Sequence, residues 1–310
     1  RLGEHGTDRS AMILIILLVT NLLYYINKKT EKIDDNYLKL FTIIFTIIIS
    51  LKAFYLIYAI LFIPLAIYVF NKSKSLKIFF NINLLLCLTL FAFVLLTNFF
   101  NTGCLLFPEK NTCFHDMSWA ASSNKVEYLR NHYENWAKAG SGAGYTISDK
   151  DKLNYLINLN WVPNWMEKYF FNKVSDLIYS LSFVSLIFIF VFKGLKSKKI
   201  LNRNYKLIFA LLMLIFAIWF LLHPSLRYGG YHLFFFLFFI PLSIFLEKFD
   251  NIKNINNKIT LIVMITILTF YGRNVSRLIK EYKVYSYKPF ITANYPLHKD
   301  GFRYQGKMER

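Results

Sequence analysis

Two short polar stretches carry the side chains best suited to chemistry. The stretch HPSLRYGGYH at 223–232 sets His223, Arg227, Tyr228 and His232 between the apolar runs LIFALLMLIFAIWFLL and LFFFLFFIPLSIFL. No acidic residue lies close enough in sequence to neutralise the arginine. A guanidinium offers paired donors at fixed geometry, which suits a phosphate or pyrophosphate, and Gly229 and Gly230 would let backbone approach a ligand closely. The competing reading is an arginine that snorkels to lipid headgroups from a simple turn. The second stretch, EHGTD at 4–8, spaces Glu4 and Asp8 so that both share one helix face beside the start of an apolar run. A carboxylate there can deprotonate a hydroxyl or bind a divalent cation; otherwise the pair are solvated charges at a helix start.

These stretches must be positioned by apolar segments. The 310 residues are 55% hydrophobic and 19% aromatic, more apolar surface than one soluble core can bury. Apolar runs recur at 11–26, 40–51, 53–70, 78–100, 177–192, 207–222, 231–246 and 259–271, which predicts an all-α, polytopic membrane bundle of about eight spanning segments. The runs 40–51 and 53–70, separated by Lys52, read either as one kinked helix or as two tilted ones. The expected organisation is a first membrane bundle over 1–100, a loop over 101–175, a second bundle over 176–272 and a basic tail over 273–310.

A net charge of +19 suggests nucleic acid in a soluble protein, but here it sets orientation. Lys193, Lys196, Lys198, Lys199, Arg203 and Lys206 fill one connector, and Lys72, Lys74 and Lys77 another, so both are expected on the cytoplasmic side. Counting crossings places 1–10, 101–175 and 223–230 outside, together with the tail. If the thirteen-residue run 259–271 does not span, the tail stays inside. The sequence opens at Arg1 without a methionine or signal-peptide pattern, and is expected to be an N-terminally truncated fragment.

The long loop carries Cys104 and Cys113, expected to pair as a disulfide in an oxidising compartment. Val126, Leu129, Tyr133 and Trp136 recur at helical spacing in KVEYLRNHYENWAK. SGAG at 141–144 should break that helix, and Ser148 with Asp151 offers a cap for the next. Trp119, Trp136, Trp161 and Trp165 all fall here, either as interfacial anchors or lining a groove for a sugar or lipid headgroup. Trp119, Trp136 and His232 are the candidate groove residues, and Lys138 a second cation for phosphate. Cys87 reads as a buried small residue. No nucleotide-binding glycine loop, GxSxG, HExxH or Cys/His metal spacing occurs, and with Lys39 and Lys52 near segment ends, an ion relay has little to build on.

The layout resembles bacterial polytopic glycosyltransferases of the GT-C class. HPSLRYGGYHLFFFLFFIPL is similar to that class's late segment, in which an Arg-Tyr pair begins an aromatic, proline-containing helix. NTGCLLFPEKNTCF, SWA, WAK and NWVPNWMEKYF resemble a bacterial membrane family of the same class. The resemblance covers most of 1–246. It implies an enzyme of the bacterial inner membrane that transfers a sugar from a polyprenyl-phosphate donor to a glycan or lipid acceptor on the outer face, with Arg227, His223, Lys138 and Tyr228 at the phosphate. The class carries its key acid in the first outer loop, which would precede Arg1, so Glu4 and Asp8 stand as catalytic carboxylates or as a supporting acidic site. A polysaccharide polymerase or ligase, and a non-catalytic lipid or polysaccharide transporter, are the alternatives.

Overall fold

The computed structural model describes residues 8–27, 35–75, 79, 82–140, 152–192, 195–196, 203–246, 249–250 and 254–285. Glu4, the SGAG break, the Ser148/Asp151 cap, Lys77, Lys193, Lys198 and Lys199, and the tail beyond 285 lie outside the described residues. Apart from two-residue strands at Leu195–Lys196 and Phe249–Asp250, the described residues form helices and turns. Among the described residues six helical stretches are long and apolar enough to cross a membrane.

Helix α1 (Asp8–Asn27) buries Ala11, Ile15, Leu18, Val19 and Leu22 completely, because it is the central helix of its unit. It packs against α2 (Asp35–Leu51), α3 (Phe62–Ser73), α9 (Arg203–Leu222) and α10 (Gly230–Leu246). Helix α4 (Ile82–Thr102) packs on α2. By contrast, α8 (Ser175–Phe192) has no buried residue; Phe183, Val184, Leu186 and Phe190 are exposed, as a lipid-facing side requires, while Leu177, Ile178 and Leu181 rest half-buried on the core.

The runs on either side of Lys52 are two separate elements. Helix α2 ends at Leu51, Lys52 takes extended backbone (φ −158°, ψ 110°), and the chain resumes as a 3-10 helix over Ala53–Leu61 that leads into α3. With about three residues per turn, side chains three apart line up along one face of a 3-10 helix. Tyr55, Tyr58 and Leu61 are therefore stacked in register, and all three are buried. The winding sets two phenols below Lys52.

Residues 162–192 form one continuous helix, so the helix starts well before the apolar run at 177. It opens as α7 (Val162–Trp165), widens to a π-helix over Met166–Val174 and continues as α8. Its early part is kept helical by burial of Trp165, Tyr169 and Val174. Helix α5 (Ser123–Lys138) begins at the Ser122 cap, whose hydroxyl accepts the Lys125 backbone N–H. Within it Val126 is buried, while burial then shifts to Asn135, Ala137 and Lys138 and leaves Tyr133 exposed. A five-residue helix α6 (Lys152–Leu156) precedes α7.

Cys104 and Cys113 are joined as a disulfide and pair as an isolated antiparallel bridge, supported by Leu105 N–H donating to Thr112 O at 3.0 Å. Cys87 is a buried free thiol. A second unit holds α11 (Ile255–Tyr285). This helix runs 31 residues, so the run 259–271 is part of a helix long enough to span.

Candidate functional site

The connector between α9 and α10 is HPSLRYGG, and it has one defined shape. His223 N–H donates to Trp219 O at 2.8 Å and closes α9, and Leu226–Tyr228 form a 3-10 turn ending at Gly229 with φ +124°. Three aromatic side chains bond its backbone from outside. Trp165 Nε1 donates to Pro224 O (2.8 Å), Trp219 Nε1 donates to Ser225 O (3.0 Å), and Leu226 N–H donates to the Tyr169 hydroxyl (2.9 Å). The Tyr169 and Ser225 hydroxyls lie 3.4 Å apart. Pro224, Ser225 and Leu226 are buried, so each of these polar groups needs such a partner.

The two glycines serve packing. A Cβ on Gly230 would sit 2.7 Å from Trp219 Cζ2, and one on Gly229 would sit 3.2 Å from His232 Cε1. The close approach expected toward a ligand is thus made to the protein's own rings.

What this connector presents is Arg227. Its Nε donates to Asp8 Oδ2 at 2.7 Å, and Lys52 Nζ donates to Asp8 Oδ1. One carboxylate at the start of α1 therefore bridges a cation from the α2–3-10 junction and a cation from the α9–α10 connector, 44 and 219 residues away. Asp8 and Lys52 side chains are only 16% and 18% exposed, whereas Arg227 is 58% exposed. Lys52 Nζ also lies 4.5 Å from the centre of the Tyr228 ring, a cation–π contact. Burial pushes the Lys52 ammonium below the usual lysine range, and the Asp8 carboxylate pulls it partly back.

This trio edges a cavity of about 580 Å³ at one end of the bundle. One wall is formed by Asp8, Lys52, Phe54, His223, Arg227 and Tyr228. The other comes from the disulfide-closed loop, with Leu106, Phe107, Pro108 and Glu109, and from α5, with Arg130, Tyr133 and Glu134. Arg130 pairs with Glu109 at 3.6 Å across these two elements. The disulfide thus closes a loop that supplies cavity wall. In the chain-entropy picture a loop of this size is constrained by roughly 2 to 3 kcal/mol. Replacing both cysteines by serine is expected to lower thermal stability by that order and to weaken ligand affinity at the cavity. Melting in detergent with and without reductant checks this.

The expected site residues divide. Arg227, His223, Tyr228 and Asp8 come together at the cavity, and Trp136 stands behind it with its ring 5.8 Å from that of Tyr228. His223 packs between Phe54 and Tyr228 and its Nδ1 has no hydrogen-bond partner among the described residues. Burial holds its pKa below the usual imidazole value, partly opposed by Glu134, so it is neutral at pH 7.

Lys138 is buried, paired with Glu134 at 2.5 Å and placed 5.3 Å over the Trp161 ring; it does not line the cavity. Trp119 is exposed beside Phe99, also away from it. His232 is no groove residue. It points into the core one turn below the connector, with Nε2 bonded to the Tyr58 hydroxyl and its ring against Tyr55. Trp161 and Trp165 are core residues rather than interfacial anchors or groove walls. Among the described residues no three His, Cys, Asp or Glu side chains are grouped to hold a metal.

Sequence reasoning passed over Lys52, Arg130 and the tyrosines at 55 and 58. For Lys52 a signal existed: a lone lysine interrupting some thirty apolar residues is expensive unless paired, and Asp8 is the acid nearest the end of a neighbouring span. Nothing in the sequence pairs Arg130 with Glu109.

Neither a curated protein nor a solved structure matches this chain. Residues 6–235 match the family model of a domain of unknown function, DUF8201. That match covers about three quarters of the sequence and runs from just before Asp8 to the second turn of α10, so it contains every residue of the cavity, and the chain belongs to the DUF8201 family.

Proposed function

We propose that this protein is an integral enzyme of the bacterial cytoplasmic membrane that transfers a sugar from a polyprenyl-phosphate donor to a cell-envelope acceptor on the outer face. The observation that carries this reading is the Lys52–Asp8–Arg227 trio at the edge of the cavity. In this reading α1, α2, the 3-10 helix with α3, α4, the long helix ending in α8, α9, α10 and α11 are the eight crossings. The disulfide loop and α5 then lie outside, where oxidation is maintained.

The reaction asks three things of the cavity. An acceptor hydroxyl must lose its proton, for which Asp8 is the carboxylate in place. The acceptor oxygen then attacks the anomeric carbon while the carbon–oxygen bond to phosphate breaks, inverting the centre. The electron pair leaves with the phosphate oxygen, and Arg227 and Lys52 stabilise that charge. His223, neutral and with an open Nδ1, is a hydrogen-bonding group for the same phosphate.

A transporter is disfavoured by the distribution of polar side chains. The hydroxyls along α2 are spent on carbonyls of their own helix, and the Tyr58–His232 pair is closed into the core. The test uses sealed right-side-out vesicles containing the protein and a prenyl-phosphate-linked sugar. Transfer of labelled sugar to externally added envelope glycan or lipid is the expected result. Transport of the intact donor without cleavage of its sugar–phosphate bond would overturn the reading.

A further inference from the structure

The trio is built as an anion site that already holds an anion. Each oxygen of Asp8 takes one cation, Oδ1 from Lys52 and Oδ2 from Arg227, which is how two oxygens of a phosphate would be held. Two cations share this one carboxylate, leaving the three side chains with a formal charge of +1. Of the other described acids lining the cavity, Glu109 faces Arg130 and Glu134 faces Lys138. Beside the trio, His223 Nδ1 is buried without a hydrogen-bond partner among the described residues, and the cavity opens directly onto all four residues.

Resting on the donor-phosphate reading above, we propose that Asp8 is a built-in placeholder in this site. The phosphate of an entering lipid-linked ligand takes Lys52 and Arg227 from it, and the carboxylate is thereby released. Exchange needs only side-chain rotation. Arg227 is the exposed member of the trio, while the connector backbone that carries it is fixed by Trp165, Trp219 and Tyr169. A carboxylate locked between two cations is a poor base, and one that has lost them is a better one. Phosphate arrival thus arms the group that must deprotonate the acceptor, and water meets a deactivated carboxylate when no donor is bound.

The proposal makes an unusual demand: removing the acid must tighten binding. Asp8→Asn should bind a ten-carbon prenyl phosphate about tenfold more tightly than wild type, because the ligand no longer competes with an internal carboxylate, while transfer is lost. Lys52→Met should weaken binding. Where Asp8→Asn alone does not fold, the comparison is made in the Lys52→Met background, in which removing Asp8 should again tighten binding. Titration in detergent uses the prenyl phosphate, the matching neutral prenol and inorganic phosphate. Tightening for the prenyl phosphate but not the prenol is expected. Parallel tightening for inorganic phosphate assigns the site to the phosphate group alone, and its absence assigns it to a lipid headgroup.

Equal or weaker prenyl phosphate binding in the Asp8→Asn proteins would overturn the exchange and leave the donor reading standing. Equal tightening for the prenol would also overturn it. No prenyl phosphate binding by wild type or any variant removes both.

Discussion

Arg227→Lys is expected to lower sugar transfer by more than tenfold, and Arg227→Ala to lower it further, with membrane abundance of both variants near wild type. The guanidinium is planar and reaches Asp8 through Nε. A fork of this kind gives an anion two parallel donors, whereas an ammonium is a point charge. Lysine therefore keeps the charge and loses the geometry. Alanine removes one of the two cations that offset the departing phosphate in the proposed reaction, and truncating one partner of a charge pair costs roughly 2 to 5 kcal/mol in affinity. Because Arg227 is 58% exposed, neither change empties a core site, and the loss should appear in turnover rather than in folding. Turnover of a prenyl-phosphate sugar, measured beside abundance by immunoblot, decides it. Wild-type turnover in Arg227→Lys would mean that the arginine only anchors the connector to headgroups.

Trp219 is expected to show the opposite pattern, a large stability loss. It is completely buried, packs on Phe216 and Phe234 with ring centres 5.3 and 5.9 Å away, and donates Nε1–H to Ser225 O. Trp219→Ala creates a cavity and strands a buried carbonyl, a combination expected to cost roughly 3 to 5 kcal/mol. Trp219→Phe keeps most of the volume and loses the donor, at roughly 1 to 3 kcal/mol. The Phe variant is the informative one. It should raise the KM for donor more than it lowers kcat, since the connector that carries Arg227 loses one of its fixings. A thermal midpoint in detergent that does not move in Trp219→Phe would show that the hydrogen bond contributes nothing.

The sequence made Arg227 and Asp8 legible as chemistry because each is an ionisable group at the rim of an apolar run, where burial is costly without a partner. It did not join them. Their contact spans 219 residues and depends on α1 lying against α9 and α10, and periodicity carries no information about which helices touch. His232 was misread because its spacing from Arg227 suggests the polar connector, whereas it is already inside α10, turned toward Tyr55 and Tyr58. Trp161 and Trp165 look like interfacial anchors by type and place in a loop, yet Trp161 caps the helix that starts at Val162, Trp165 lies within it, and both are buried. Cys104 and Cys113 were legible because nothing else in the loop competes for them.

The hydrogen bonds that fix the α9–α10 connector from outside have a consequence for how this family can diversify. Trp165, Trp219 and Tyr169 bond Pro224 O, Ser225 O and the Leu226 N–H. Those are atoms of the main chain, and most residues placed there would offer the same ones. The side chains at 223, 227 and 228 are therefore separable from the scaffold that aims them. If the proposed site is right, ligand preference can be rewritten by substitution at those positions without refolding the connector, a graftable cassette on a constant aromatic mount.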